Sequence, residues 1–429
     1  MSSFSISHIS AMEILDSRGN PTLKVEVRLD GGLYATASVP SGASTGEHEA
    51  VELRDNDPRR YGGRGVLLAA ESVNAEISSA LRGKDAMAQA SLDAKLAEVD
   101  GTDNFRRLGA NAVVGVSMAI ARVAAMAAGK PLYEHLGGDR ARIMPMPMMN
   151  VLNGGKHAHN SVDFQEFMIV PVGAASFAEG LRLCVETYHA LATILKNRGY
   201  ASGVGDEGGF APNLSNNAEA CDLLMEAITH AGFLPGRDIA LAIDPAASSF
   251  YRDGMYRMDR SGLGPRTSEE VCTLYDAWLR RFPIVSLEDG LAENDWDGFR
   301  RLTAVLGNRI QIVGDDIFVT NTRFIQRGIE ESTANAVLVK LNQIGTVTQT
   351  IAAVELCRKA GWRYVISHRS GETDDTFIAD FALAMGGGQI KTGAPCRGER
   401  VAKYNRLLEI ERSLGAKALF QNPFVAATL

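Results

Sequence analysis

The chain has 429 residues and five cysteines, enough length for two or three domains or for one large barrel with a smaller companion, which excludes a disulfide-stapled miniprotein. Hydrophobic residues at 45% and charged residues at 22% describe a globular chain with a large core, which excludes intrinsic disorder. Its 44 lysines and arginines against 51 aspartates and glutamates leave a net charge of −7, and no basic run tracks a phosphate backbone, so nucleic acid is not expected as a primary partner.

The N-terminal MSSFSISHIS lacks a basic segment followed by an apolar run, so no secretory signal is expected. Residues 22–39 alternate, with Leu23, Val25, Val27 and Leu29 on one face and Lys24, Glu26 and Arg28 on the other; Asp30-Gly31-Gly32 marks the turn of an antiparallel hairpin. Helical patterns follow at about 66–82, 90–99 and 110–128, with Gly83 and Gly129 as stops. The stretch from Ala112 to Gly129 is alanine-rich and interrupted by Arg122, so it reads as a buried helix and no membrane partner is expected. The texture changes between Gly137-Gly138 and Pro145-Met146-Pro147, which divides the chain into an N-terminal α+β unit, 1–139, and a larger unit, 140–429.

The larger unit repeats short apolar runs, each ending in a polar residue: 239–244, 284–289, 310–316, 336–342, 364–370 and 389–392. They read as buried parallel strands. The markers Asp244, Glu288, Asp315, Lys340, His368 and Lys391 are separated by 44, 27, 25, 28 and 23 residues, and four of these five steps suit one strand plus one helix. With helical segments at 322–332 and 346–360, the expected fold is α/β, a TIM-like β/α barrel with its chemistry at the C-terminal ends of the strands. Cys184, Cys221, Cys272, Cys357 and Cys396 are far apart and form no CxxC pair, which fits a reducing compartment.

Three motifs compete for attention. Gly42-Ala43-Ser44-Thr45-Gly46 matches the nucleophile elbow of a serine hydrolase, but Pro40-Ser41 parts it from the preceding strand and it lies in the small unit; the alternative is a Gly/Ser/Thr loop. Gly203-Val204-Gly205-Asp206-Glu207-Gly208 matches GxGxxG, yet it follows a helical pattern, and its two carboxylates would repel a pyrophosphate; a loop presenting Asp206 and Glu207 is the better reading. His157-Ala158-His159 could suggest zinc, but Asn153-Gly154-Gly155 beside it argues for a loop of hydrogen-bonded or substrate-contacting histidines.

The chemistry concentrates elsewhere. Asp244, Glu288 and Asp315 end three different strands, and a closed barrel would gather their carboxylates at one rim. Taken singly, each could merely cap a helix or pair with an arginine; taken together they repel unless a cation joins them, and an all-oxygen set favours a hard ion such as Mg²⁺. Lys340, His368, Arg369 and Lys391 end the next strands. A lysine beside a divalent cation has its charged form disfavoured, which makes Lys340 the candidate general base, whereas Arg369 and Lys391 would stay charged and bind anionic groups.

These residues sit in motifs that resemble the enolase family, the 2-phosphoglycerate hydratases: EILDSRGNPT (13–22), VPSGASTGEHEA (39–50), LNGGKHAHNSVDFQEFM (152–168), VGDEGGFAPNL (204–214), SLEDG (286–290), GDDIFVTN (314–321), LVKLNQIGT (338–346), SHRSGETDD (367–375) and QIKTG (389–393). They span about residues 9 to 412 in family order. The resemblance implies an enolase-type barrel capped by the N-terminal unit and a lyase interconverting 2-phosphoglycerate and phosphoenolpyruvate. It implies Asp244, Glu288 and Asp315 as ligands of a first Mg²⁺, and Ser44 as a ligand of a second that arrives with substrate. Lys340 is then the base at C2, and Glu207, supported by Glu166, the acid that assists loss of the C3 hydroxyl. His157, Glu166, Glu288, Asp315, Ser367, His368, Arg369, Ser370 and Lys391 become substrate-pocket residues, with Arg369 and Ser370 toward phosphate and Lys391 toward the carboxylate. Deprotonation beside a carboxylate places a second charge on it, and one divalent ion facing that charge at 4 Å and an effective dielectric of 20 contributes roughly 8 kcal/mol.

The chain departs from the family's usual pattern at Pro245 and Ser249, at His159, and after about residue 412. A paralogue acting on a phosphonate analogue, in the manner of the carboxyphosphonoenolpyruvate synthases, is the nearest rival reading; a serine hydrolase and a non-catalytic scaffold stand further off. The resemblance also implies a small phosphorylated carboxylate as substrate, a homodimer or larger homo-oligomer, and a cytoplasmic location with a secondary surface or secreted one open.

Overall fold

The computed structural model of the protein describes residues 4–42, 46–158 and 162–424. Three strands, β1 (Ile6–Leu15), β2 (Pro21–Leu29) and β3 (Tyr34–Ser38), form an antiparallel sheet in the order β1-β2-β3. The alternation in β2 does what it implies: Leu23, Val25, Val27 and Leu29 are buried. Their cover is the Ala110–Ala127 helix, which is long and apolar enough to cross a membrane by length and composition but is largely buried in the core. Gly115 lets it approach, since a Cβ there would stand 2.7 Å from Val25 Cγ2 and 2.9 Å from Val39 Cγ2. The helix expected over 66–82 runs from Leu67 to Leu81 but widens at Val73–Ile77 into a π-type turn. The helix expected over 90–99 is Gln89–Asp100, and Gly83, Gly101 and Gly129 follow their helices at positive φ.

Eight strands then close a barrel in chain order: β4 (Met146–Asn153), β5 (Glu166–Val170), β6 (Ala240–Asp244), β7 (Ile284–Glu288), β8 (Gln311–Gly314), β9 (Ala336–Val339), β10 (Arg363–Ser367) and β11 (Gln389–Lys391), which returns to β4. All six runs expected as strands are strands, and they pair in parallel. What the sequence reading did not anticipate is β5, which runs antiparallel to both β4 and β6, with Glu166 opposite Asn153 on one side and Asp244 on the other. The long 44-residue step between Asp244 and Glu288 holds a small antiparallel sheet of Tyr251–Arg252, Met255–Met258 and Gly264–Arg266 ahead of the Ser268–Arg281 helix. Most apolar burial lies between barrel, helices and N-terminal sheet, while a second cluster including Met146, Met148, Met168, Ala242, Val313, Leu338 and Val365 fills the barrel axis.

Candidate active site

Alternation along the strands decides which side chains reach the axis. Met148, Ala242, Val313, Leu338 and Val365 point inward, so the residues two further on face inward at the rim: Asn150, Asp244, Asp315, Lys340 and Ser367. Below Glu288 and Lys391, Ser286 and Gln389 meet inside the barrel through Gln311, which donates to both at 3.1 and 3.0 Å. Because β5 is reversed, its first residue reaches this same rim, and Glu166 enters two places before Met168.

The rim holds a basin of about 150 Å³. Its lining includes His157, Glu166, Glu207, Asp244, Asp315, Lys340, Ser367, His368, Arg369, Ser370 and Lys391. Glu288 joins it through Lys391. Ser44 and His159 lie outside the described residues. In the 203–208 loop Glu207 turns into the basin and is buried, whereas Asp206 is not part of the lining.

Lys391 is the hub of the acidic half. Its Nζ lies 2.8 Å from Glu288 Oε1, 3.0 Å from Glu166 Oε2 and 3.1 Å from Asp244 Oδ2. Burial acts to lower the ammonium's pKa, but Glu166, Glu288 and Asp244 outweigh it and hold the group well above its ordinary value. The carboxyls crowd one another in turn. Burial, then the charge of Asp244, pushes Glu288 well above the usual carboxylate range, and burial with Glu207 does the same to Glu166. Glu288 Oε2 is buried without a hydrogen-bond partner. An all-oxygen donor set with such an orphaned carboxylate oxygen fits a hard divalent cation, and these carboxylates could hold one.

Lys340 faces a single carboxylate, Asp315 Oδ2 at 2.5 Å, and Asp315 Oδ1 accepts from Gln343 at 3.0 Å. The depressed lysine expected from the sequence belongs to a basin that holds a divalent cation. Burial does push Lys340 down, but Asp315 overrides it and raises the pKa above its ordinary value, while Asp315 itself is lowered by the same pair against its own burial. Arg369 is likewise engaged, by Glu49 Oε2 at 2.9 Å and Asn342 Oδ1 at 2.9 Å.

Across the basin two buried glutamates are shifted in opposite directions. Glu207 is buried, which alone would raise it, yet the hydrogen bond from His368 and the charge of Arg400 are among the contacts that bring it well below the usual range. Asn150 donates to its Oε2 at 3.0 Å, and His368 Nε2 stands 3.3 Å from the same atom. Glu166 is shifted the other way, well above the usual range, by burial first and then by the charge of Glu207. His157 Nδ1 lies 3.6 Å from Glu166 and 3.8 Å from Glu207.

Sequence reasoning missed several members. Asp289 Oδ1 and Oδ2 accept the backbone N–H groups of Asp315 and Asp316 at 2.8 and 2.9 Å, tying the ends of β7 and β8, and Asp289 takes a φ of +40° to do so. Burial and then the Asp315 charge push Asp316 up to about 7. Among the described residues two sets of ligand-type side chains lie within 4.8 Å of one another, Asp289–Asp315–Asp316 and His157–Glu166–Glu207. The doubled acids in Glu288-Asp289 and Asp315-Asp316 were the available signal. Lys156, Gln165 and Glu293 also line the basin and carried none.

Comparison with known proteins places these features in a family. The profile described as "Enolase, N-terminal domain" matches residues 6–136, and "Enolase, C-terminal TIM barrel domain" matches residues 141–427. The chain is 64% identical over 415 residues to "Enolase 1" of Methylococcus capsulatus, covering 97% of this chain and 99% of that protein. It is 60% identical over 417 residues to "Enolase" of Desulfotalea psychrophila, covering 97% and 99%, and 61% identical over 415 residues to "Enolase" of Acidothermus cellulolyticus, covering 97% and 96%.

Proposed function

The chain belongs to the enolase family, and from that premise and the geometry of the basin we propose that it interconverts 2-phosphoglycerate with phosphoenolpyruvate and water. It is a carbon–oxygen lyase working on a small phosphorylated carboxylate. The observation that carries this reading is the meeting of Lys340, the buried glutamates Glu166 and Glu207, and the cations Arg369 and Lys391 in one basin. Nothing supports the phosphonate-analogue alternative.

Lys340 is the group that takes the C2 proton. Glu207, supported by Glu166, is the acid that assists loss of the C3 hydroxyl. Arg369 and Ser370 hold the phosphate, Lys391 meets the carboxylate, and His157, Ser367 and His368 shape the pocket. Asp244, Glu288 and Asp315 would hold Mg²⁺, with Ser44 for a second ion that accompanies substrate; bound there, such ions would supply positive charge opposite the substrate carboxylate. We take residues 1–139 as the capping unit and 140–429 as the catalytic barrel, a division supported by the separate sheet β1-β2-β3. The five unbridged cysteines support a cytoplasmic location. A homodimer or larger homo-oligomer is part of the same proposal.

Phosphoenolpyruvate formation from 2-phosphoglycerate tests this, measured after chelation and again after Mg²⁺ is restored. Activity should vanish and return. No product under any condition would overturn the activity, and full turnover in metal-free buffer would overturn the role given to the carboxylates.

A further inference from the structure

Arg400 lies in the first turn of the Gly398–Leu414 helix and is fully buried. A guanidinium has no acceptor and does not lose its proton, so its environment must supply acceptors only. Three are backbone carbonyls: Nη1 donates to Arg369 O at 2.7 Å, and Nη2 to Ser370 O at 2.5 Å and Asp206 O at 3.1 Å. The fourth is a ring nitrogen, His368 Nδ1, 2.5 Å from Nη1.

That contact has one chemical solution. Facing a permanent donor, Nδ1 must offer its lone pair, and a neutral imidazole carries its single N–H on the other nitrogen. Nε2 is the atom turned toward Glu207 Oε2, at 3.3 Å. The groups facing the ring are Arg400 from the helix, Glu207 from the 203–208 loop and Glu372 from its own loop. Packing closes off rearrangement: a Cβ on Gly393, at φ +83°, would stand 2.7 Å from Glu207 O, 3.0 Å from Arg400 Cδ and 3.2 Å from His368 Cε1, so ring, guanidinium stem and Glu207 loop meet over one glycine.

We propose that Arg400 is a positioning residue that fixes His368 as a neutral imidazole with its proton on Nε2, the buried atom that faces Glu207 Oε2 at 3.3 Å and is otherwise without a hydrogen-bond partner. Second protonation would set an N–H against the guanidinium, so His368 neither gives up nor takes on a proton during turnover. Its part in orienting Glu207 for catalysis rests on the lyase reading above; the tautomer itself does not.

The experiment is long-range ¹H–¹⁵N correlation NMR on the full chain labelled with ¹⁵N-histidine, His368 being assigned by the loss of its signals in His368→Gln. One pyrrole-type Nε2 and one pyridine-type Nδ1 are expected, unchanged from about pH 5.5 to about pH 8. A proton on Nδ1, or an imidazolium within that range, overturns the proposal. In Arg400→Lys, with folding checked by thermal melting, His368 should become a mixture of tautomers, and kcat should fall roughly 10- to 100-fold with KM little changed. A loss of kcat with the tautomer unaltered would make Arg400 a brace alone and overturn its positioning role. If that variant does not fold, the wild-type spectrum decides. Failure of the wild type to turn over 2-phosphoglycerate would overturn the lyase reading and leave the tautomer result standing.

Discussion

Lys340 and Glu207 reach the basin from different parts of the chain, one just past β9 and the other from a loop after the Phe177–Asn197 helix, so each can be removed without touching the other. Lys340→Ala should abolish both net dehydration and exchange of the C2 proton of 2-phosphoglycerate with D₂O, followed by NMR. Glu207→Gln keeps the base but cannot protonate the leaving hydroxyl, so dehydration should fall by roughly 10² to 10⁴ while exchange persists. Exchange that survives in Lys340→Ala would remove the lysine from its role. A milder outcome is expected next to Asp244. There Asp244 Oδ1 accepts the N–H of Ala246 at 2.8 Å, and Ala246 takes a φ of +47°. Pro245 stiffens this corner without supplying a side-chain contact to the basin, so Pro245→Ala should leave kcat/KM within about tenfold. A loss as deep as that of Asp244→Ala would show that the proline sets the carboxylate's position.

At the scale of elements, the seat of the Ala110–Ala127 helix on β2 depends on Gly115. A valine there cannot be accommodated against Val25 and Val39 without shifting the helix, and Gly115→Val should cost about 1–3 kcal/mol in urea denaturation, with basin kinetics less affected. Unchanged stability would mean that the helix yields freely. The same sheet marks where sequence is a good guide and where it is not. β2 and β3 alternate cleanly and were legible, and so were the six barrel strands that end in a charged or polar residue. β1 escaped because its partly exposed residues blur the alternation. β4 escaped because Pro145 and Pro147 read as a boundary, although Met146–Asn153 is buried throughout. β5 is hidden for a physical reason: polar residues mark the ends of the parallel strands, and reversal puts Glu166 at a strand start. Of the site, the residues that carry charge at strand ends were legible; Asp289 and Arg400 were not, because they act on neighbours' backbone and ring nitrogen and leave no spacing pattern.

Across the whole molecule, the N-terminal sheet and the barrel are joined by a buried ion pair. Arg122, on the Ala110–Ala127 helix, donates from Nη1 and Nη2 to Asp375 at 2.6 and 2.7 Å, and Asp375 Oδ2 also accepts the N–H of Ser38 in β3 at 2.8 Å. Burial alone would raise Asp375, but Arg122 outweighs it and lowers the pKa below the ordinary 3.8. The folded value lies below the unfolded one, so the pair's stabilisation is present above about pH 4 and is lost as pH falls through the lowered folded value. Arg122→Met strands a buried carboxylate and should cost about 3 kcal/mol at pH 7. In that variant protonation of Asp375 relieves the penalty, so its gap from wild type should narrow toward about pH 3. Denaturation curves of both proteins across this range measure it, and a gap that widens on acidification would refute the assignment.

The reversed strand gives Glu166 a second occupation. Inward and outward residues alternate along β5, with Met168 and Val170 inside the barrel and Phe167 and Ile169 in the outer apolar shell. A slip of one residue against β4 and β6 that carries Glu166 into the slot of Phe167 would swap these sets, leaving Glu166 in the outer apolar shell with no cation to meet it and Phe167 on the barrel axis. An unpaired carboxyl in such a place costs several kcal/mol. The carboxyl that serves chemistry at the rim is therefore also a proofreading mark for assembly, one that makes misaligned closure of the barrel expensive before any substrate is present.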